Sequence, residues 1–172
     1  SLAEIVTPNQ AECAVLLDRD GQAPRTVQDG LEACRSLHER GVRTAIIKMG
    51  DLGCVVSDGH QSFTVPAHQV EPVDTTAAGD TFNAGLAASL ARGQDLRAAV
   101  EFGNAAAAIS VTRPGAQHSA PSRREVERLL QDRLREGAFI KNPQVTVYVK
   151  EFSRQKVYVY GAVAKPGAYE FQ

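Results

Sequence analysis

The sequence predicts an α/β layered fold, with a largely parallel sheet packed against helices, followed by a small β-rich module. Three observations carry this reading. Through residues 1–133, short apolar runs alternate with segments of helical periodicity, the pattern of strands interleaved with covering helices. Through residues 134–172 the apolar period changes to two, as in Val145, Val147, Val149 and again in Val157, Val159, which is the period of a half-buried strand. Composition changes at the same place. All four tyrosines, three of the six phenylalanines and four of the five lysines lie after residue 133, and formal charge moves from −4 in the front segment to +3 in the tail. Two segments are therefore expected, 1–133 and 134–172.

The elements follow in order. Residues 4–6 are a short apolar run that ends a strand. Thr7 suits a helix cap, Pro8 its first turn, and Gln10 a capping box. Residues 26–40 carry Val27, Leu31, Cys34 and Leu37 at helical spacing, with Gly41 as a stop. Thr44–Lys48 reads as a strand. Cys54–Ser57 and Ser62–Val65 flank Asp58-Gly59 and read as a hairpin. Residues 70–73 read as another short strand. Residues 79–91 form a helix rich in small side chains, ending near Gly93, and Asp95 caps a helix reaching about Val111. Ser122 and Glu125 make a capping box ahead of Val126, Leu129 and Leu130. In the tail, Pro166-Gly167 marks a turn between strands of a meander.

The 172 residues are 43% hydrophobic and 23% charged, with a formal charge of −1. This composition suits a folded domain and gives no basic excess for nucleic acid. The longest apolar run, residues 105–111, is too short to span a bilayer, and no charged-then-apolar leader is expected. Cys13, Cys34 and Cys54 are odd in number and widely spaced, which favours a reducing compartment over a disulfide framework.

The chemistry concentrates in residues 74–87, DTTAAGDTFNAGLA. Ala77, Ala78 and Gly79 stand where a loop enters a helix. Small side chains there let a ligand approach the backbone, and unpaired N–H groups with the positive end of the helix dipole favour an anion such as phosphate. Asp80, in the first turn, is placed to accept a proton from an attacking hydroxyl. Taken alone, Asp80 reads first as a helix-start acid; the neighbouring residues of the run bring the chemical reading forward. No Walker P-loop or G-x-G-x-x-G is present.

All fourteen positions of this run resemble the second signature of the ribokinase family, the PfkB-type carbohydrate kinases. Further segments resemble that family in order: VTPNQAE with Asn9 and Glu12, IIKMGDLGCVVSDG, and FGNAAAAISVTRPGAQHSAPSRREV. The resemblance spans about residues 2–130 and implies a ribokinase-like fold and ATP-dependent phosphoryl transfer to a ribose-like sugar. It makes Asp80 the catalytic base and the backbone of Ala77, Ala78 and Gly79 the anion hole. It places Asn9 and Glu12 near the phosphates, Glu12 through magnesium-bound water. Lys48, Gly50 and Gly53 lie beside the nucleotide; many relatives carry Thr where Lys48 stands. Asn104 lies near the adenine or ribose. Asp74, Thr76, Ser110, Arg113, Gly115 and Ser119 match loop positions that surround a monovalent cation such as K+, mostly through carbonyl oxygens. A homodimer and a cytoplasmic location are further implications. Family members are about twice as long as the front segment, and the sugar site lies in the half without a counterpart here. Little or no kinase activity is therefore expected of this chain alone.

The tail, through NPQV and VYVYGAVAKPGAY, resembles part of a bacterial polysaccharide export protein at the start of its soluble-ligand-binding β-grasp module. That resemblance implies a periplasmic export assembly as partner, and Tyr148, Tyr158 and Tyr160 as sugar-stacking or packing groups. It leaves an alternative reading, a binding or assembly module carried on a kinase-like scaffold.

Overall fold

In the computed structural model, residues 3–19, 21–136, 156–159 and 167–170 are described. Strand β1 (Ile5–Val6) leads into helix α1 (Gln10–Leu16), then α2 (Val27–Glu39) and β2 (Thr44–Lys48). A short 3-10 turn at Gly50–Leu52 joins β2 to β3 (Cys54–Ser57), which turns back as β4 (Ser62–Val65). Three helices follow: α3 (Ala78–Leu90), α4 (Leu96–Ser110) and α5 (Arg123–Glu136).

The sheet has the order β1-β2-β3-β4 and is mixed, not largely parallel as the alternating pattern suggested. Only β1 and β2 run parallel; β2–β3 and β3–β4 are antiparallel. The reason is connection length. Tight turns join β2 to β3 and β3 to β4, whereas a parallel crossover needs a dozen or more residues. At the β3–β4 turn, Asp58 Oδ1 accepts from the N–H groups of His60 and Gln61 at 2.9 and 2.8 Å, which is why Asp58-Gly59 reads correctly as a hairpin.

Strand residues alternate between two cores. Ala45, Ile47 and Val55 pack with Cys13, Leu17, Ala33, Cys34 and Leu37 of α1 and α2. Ile46, Cys54, Val56 and Val65 pack with Phe82, Leu86, Ala99 and Val100 of α3 and α4. Helices thus cover both sheet faces, and a strand buried on both faces has a continuous apolar run such as AII in place of alternation. Helix α5 adds an outer layer through Val126, Leu129 and Leu130 on Phe102, Ala105 and Ala106. Glycines set how closely α3 and α4 approach: a Cβ on Gly85 would lie 2.9 Å from the Cα of Gly103, and one on Gly103 would lie 2.8 Å from the Phe82 carbonyl oxygen.

Two local expectations change. The cap of α1 is Asn9, not Thr7: Asn9 Oδ1 accepts from Glu12 N and Glu12 Oε2 accepts from Asn9 N, each at 2.8 Å. Thr7 instead donates its hydroxyl to Asn83 Oδ1 of α3 at 2.8 Å, and Gln10 reaches Pro24 O. Residues 70–73 form no strand. Pro72 lacks an N–H, and the N–H groups of Val73 and Asp74 both go to Val111 O at the end of α4. The Asp95 cap forms as expected, Thr26 caps α2, and of the Ser122–Glu125 box the Glu125 half forms, its Oε2 accepting from Ser122 N–H at 2.8 Å.

In the tail, β5 (Lys156–Val159) and β6 (Gly167–Glu170) pair antiparallel, Val157 opposite Tyr169. Gly167 opens β6 and does not sit in the turn. The strand expected at 145–150, with Tyr148, and Tyr160 and Pro166 lie outside the described residues. Among the described residues, no helix is long and apolar enough to cross a membrane.

Candidate active site

The β1–α1 junction, the β2–β3 turn, the 67–72 segment, the first turn of α3 and one face of α4 enclose a cleft of about 1380 Å³. All ten residues expected for catalysis and nucleotide binding line it: Asp80, Gly79, Ala78 and Ala77, with Asn9, Glu12, Lys48, Gly50, Gly53 and Asn104.

The first turn of α3 is built to leave donors free. Ala77 caps the helix in the left-handed region (φ 59°) and makes no side-chain cap. Ala78 N–H donates to Thr75 O at 3.2 Å and is occupied. The N–H groups of Ala77, Gly79 and Asp80 have no acceptor among the described residues. The donors left free are therefore not quite the expected set: Asp80 N–H is among them and Ala78 N–H is not. Asp80 itself is exposed, with no ion pair among the described residues.

Lys48 sits against this turn. Its backbone is fixed by β2 and by a 2.9 Å bond from its N–H to Pro8 O. A Cβ on Gly79 would lie 3.1 Å from Lys48 Nζ, and Nζ stands 6.0 Å from the Phe82 ring centroid. An ammonium beside a helix N-terminus faces charge of its own sign, an unfavourable contact of roughly 0.3–1 kcal/mol. An anion between the two reverses that sign. This fits a phosphate group, and the absence of a side chain at Gly79 leaves it room.

Asn9 and Glu12, both in the cleft lining, hold each other in the capping box, which leaves Glu12 Oε1 without a partner among the described residues. One free carboxylate oxygen suits magnesium, which is held by one or two carboxylates plus substrate phosphates and water. Gly50 and Gly53 have φ of +62° and +86°. A Cβ on Gly53 would lie 2.0 Å from Val65 O, so this turn admits only glycine. Asn104 is nearly buried and donates from Nδ2 to Pro66 O at 2.8 Å.

The six cation-loop residues lie apart from the cleft lining: Asp74 and Thr76 before α3, Ser110 at the end of α4, and Arg113, Gly115 and Ser119 between α4 and α5. The structure brings three of them together: Asp74 Oδ1 accepts from Thr76 N and Oδ2 from Gly115 N, both at 2.8 Å. The Thr76 hydroxyl first, then the Gly115 and Thr76 N–H bonds, hold the Asp74 carboxyl down at about 2. Ser110 and Ser119 are fully buried and donate to Ala107 O and Ala116 O. Arg113 is turned away onto Glu125, which Ser122 and Arg113 hold at about 2. Among the described residues, no three His, Cys, Asp or Glu side chains cluster as a metal cage.

Sequence reasoning named Asn104 but missed the apolar wall around it: Ala107, Ala108 and Val111 follow Asn104 along α4 and its end, and Ala67, His68, Val70 and Pro72 share the lining. The spacing i, i+3, i+4, i+7 was legible; the 67–72 partner was not.

Residues 1–123 match the model of the pfkB family of carbohydrate kinases, and the chain belongs to that family. Ribokinase of Haemophilus influenzae is 40% identical over 131 residues, 76% of this chain and 42% of that protein. Among solved structures, ribokinase of Thermotoga maritima is 44% identical with a TM-score of 0.66, covering 74% of this chain and 42% of that one. Ribokinase of Arabidopsis thaliana complexed with ribose and ATP is 31% identical with a TM-score of 0.68, covering 74% and 41%. The chain thus spans about two fifths of the relatives it matches.

Proposed function

We propose that residues 1–133 are the nucleotide-binding and phosphoryl-transfer portion of an ATP-dependent carbohydrate kinase with a ribose-like acceptor. The observation that carries this is one cleft holding three N–H groups at the start of α3 that are unpaired among the described residues, the Lys48 ammonium and the Asp80 carboxylate. Bound ATP with magnesium supplies the phosphoryl donor and neutralises its charge. The N–H groups of Ala77, Gly79 and Asp80, aided by the dipole of α3, hold negative charge on the group in transfer. Lys48 Nζ adds a cation to the same position. Asp80 takes the proton of the sugar hydroxyl as it attacks. Glu12 Oε1 orients magnesium-bound water, and Asn9 keeps Glu12 in place through the capping box. Asp74, Thr76 and Gly115, with Ser110, Arg113 and Ser119 in the neighbouring loops, form the turn that a potassium ion would stiffen. A cytoplasmic location follows from the need for ATP, and a homodimer from the likeness to the family.

Calorimetric titration of the full chain with magnesium and a non-hydrolysable ATP analogue tests this. Saturable binding that Gly79→Val removes and Asp80→Asn keeps is expected. No binding by a folded wild-type chain refutes it. Sugar-dependent ADP release is expected to match an Asp80→Asn control, because the residues above account for a nucleotide and none for a sugar. For the tail, the reading as a polysaccharide-export type β module rests on its sequence resemblance alone. Binding of a bacterial polysaccharide by the full chain, weakened by Tyr158→Ala, is the corresponding test.

A further inference from the structure

Beside the apolar wall, the cleft lining includes His68, a half-buried histidine that the reaction does not use. Its segment is fastened from two sides. Asn104 holds Pro66 O, and Arg133, from α5, places Nη1 3.3 Å from Ala67 O and 3.1 Å from His68 Nδ1. A guanidinium has donors and no acceptor. Nδ1 must therefore accept, and the ring proton must sit on Nε2. Burial and the Arg133 charge push the His68 pKa down to about 4, so the ring stays neutral near pH 7. Nε2–H has no acceptor among the described residues. The ring thus presents one donor of fixed identity in a cleft whose other lining here is Ala67, Val70, Pro72, Ala107, Ala108 and Val111. A wall of alanines accepts a flat ring, and a single donor within it selects a ring with an acceptor at its edge.

We infer that His68, locked by Arg133 as the Nε2–H tautomer, is a specificity-determining residue that donates to a ring nitrogen of the bound purine. This rests on the nucleotide reading of the cleft. Arg133 is a positioning residue: it acts through the imidazole and through Ala67 O.

The test is calorimetry on the full chain with the triphosphates of adenosine and of its 1-deaza, 3-deaza and 7-deaza forms, each of which replaces one acceptor nitrogen with C–H. A neutral hydrogen bond in this setting corresponds to roughly a 2- to 13-fold change in Kd. One analogue is expected to bind that much more weakly than the parent, and the other two like the parent. His68→Ala is expected to bind the parent and that analogue alike. Arg133→Met, which leaves the ring in place, is expected to shrink the discrimination, to raise the His68 pKa, and to replace the single tautomer by a mixture in imidazole ¹⁵N spectra. Equal binding of all four by wild type overturns the inference and leaves the nucleotide reading standing. So does an Nδ1–H tautomer in the wild-type spectrum, or discrimination that survives His68→Ala. Binding of none of the four overturns both.

Discussion

Replacing Gly79 with alanine adds one methyl group at the mouth of the anion hole, and the structure fixes what it meets. Gly79 lies in the first turn of α3 at an ordinary negative φ. Among the described residues, and its own turn of helix aside, the atom within 4 Å of the new Cβ is Lys48 Nζ, at 3.1 Å. That atom is the tip of a flexible side chain and can shift by a few tenths of an ångström. Alanine is favoured over glycine in a helix by roughly 0.5–1 kcal/mol, less at a first turn. Gly79→Ala is therefore expected to leave stability unchanged or raise it by up to about 1 kcal/mol. Binding should move the other way. The methyl group occupies the space from which a phosphate oxygen reaches Gly79 N–H, and it displaces the Lys48 ammonium. Loss of one hydrogen bond to a charged group is worth about 1.5–3 kcal/mol, a rise in Kd of roughly 10- to 150-fold. Urea denaturation and calorimetric titration with the magnesium-bound ATP analogue read the two quantities separately. Binding within twofold of wild type would refute the anion-hole assignment. Destabilisation beyond about 1 kcal/mol would refute the claim that the site has room for the methyl group.

Gly53→Ala is the contrasting case: a Cβ there would lie 2.0, 2.6 and 2.7 Å from backbone atoms of Val65, Ala67 and Pro66, at φ +86° and ψ −127°. Strain of roughly 1–3 kcal/mol from the backbone region and a similar amount from overpacking predict a loss of about 2–6 kcal/mol, measured by urea midpoint; a loss below 1 kcal/mol would show the turn is not rigid. Asp74 governs an acid transition, because its folded pKa of about 2 lies below its ordinary 3.8. Its stabilising contribution is complete above about pH 4 and disappears as pH falls through 2. Asn at 74 keeps one acceptor oxygen and loses the other, so Asp74→Asn is expected to be less stable at pH 7, with the gap to wild type closing toward pH 2. A gap independent of pH would show that the Asp74 bonds to Thr76 and Gly115 do not stabilise the fold.

Much of the candidate site was legible because its signals are local. The run from Asp74 to Asp80 is a loop entering a helix, and small residues with an acid in the first turn carry their meaning in sequence order. The Asp95 cap, the Asp58-Gly59 hairpin and TAIIK were readable for the same reason. Misreadings arose where two local solutions compete. Thr7 and Asn9 are both good caps two residues apart, and the choice fell to Asn9 because Glu12 stands three residues on and Asn83 takes the Thr7 hydroxyl. Residues 70–73 have strand composition, yet their partner is the end of α4 and not a sheet edge.

By itself the sequence determined the family, the order of helices and strands, and the helix start that exposes unpaired N–H groups, since each depends on residues close together in the chain. Only the tertiary structure decided which pairs meet across it. Lys48 and Gly79 are brought together by packing β2 under α3, and His68 and Arg133, 65 residues apart, by laying α5 over α4. The physical reason is burial: each sheet face has to be covered, and the way the helices cover it decides which distant charges and rings come to share one cleft.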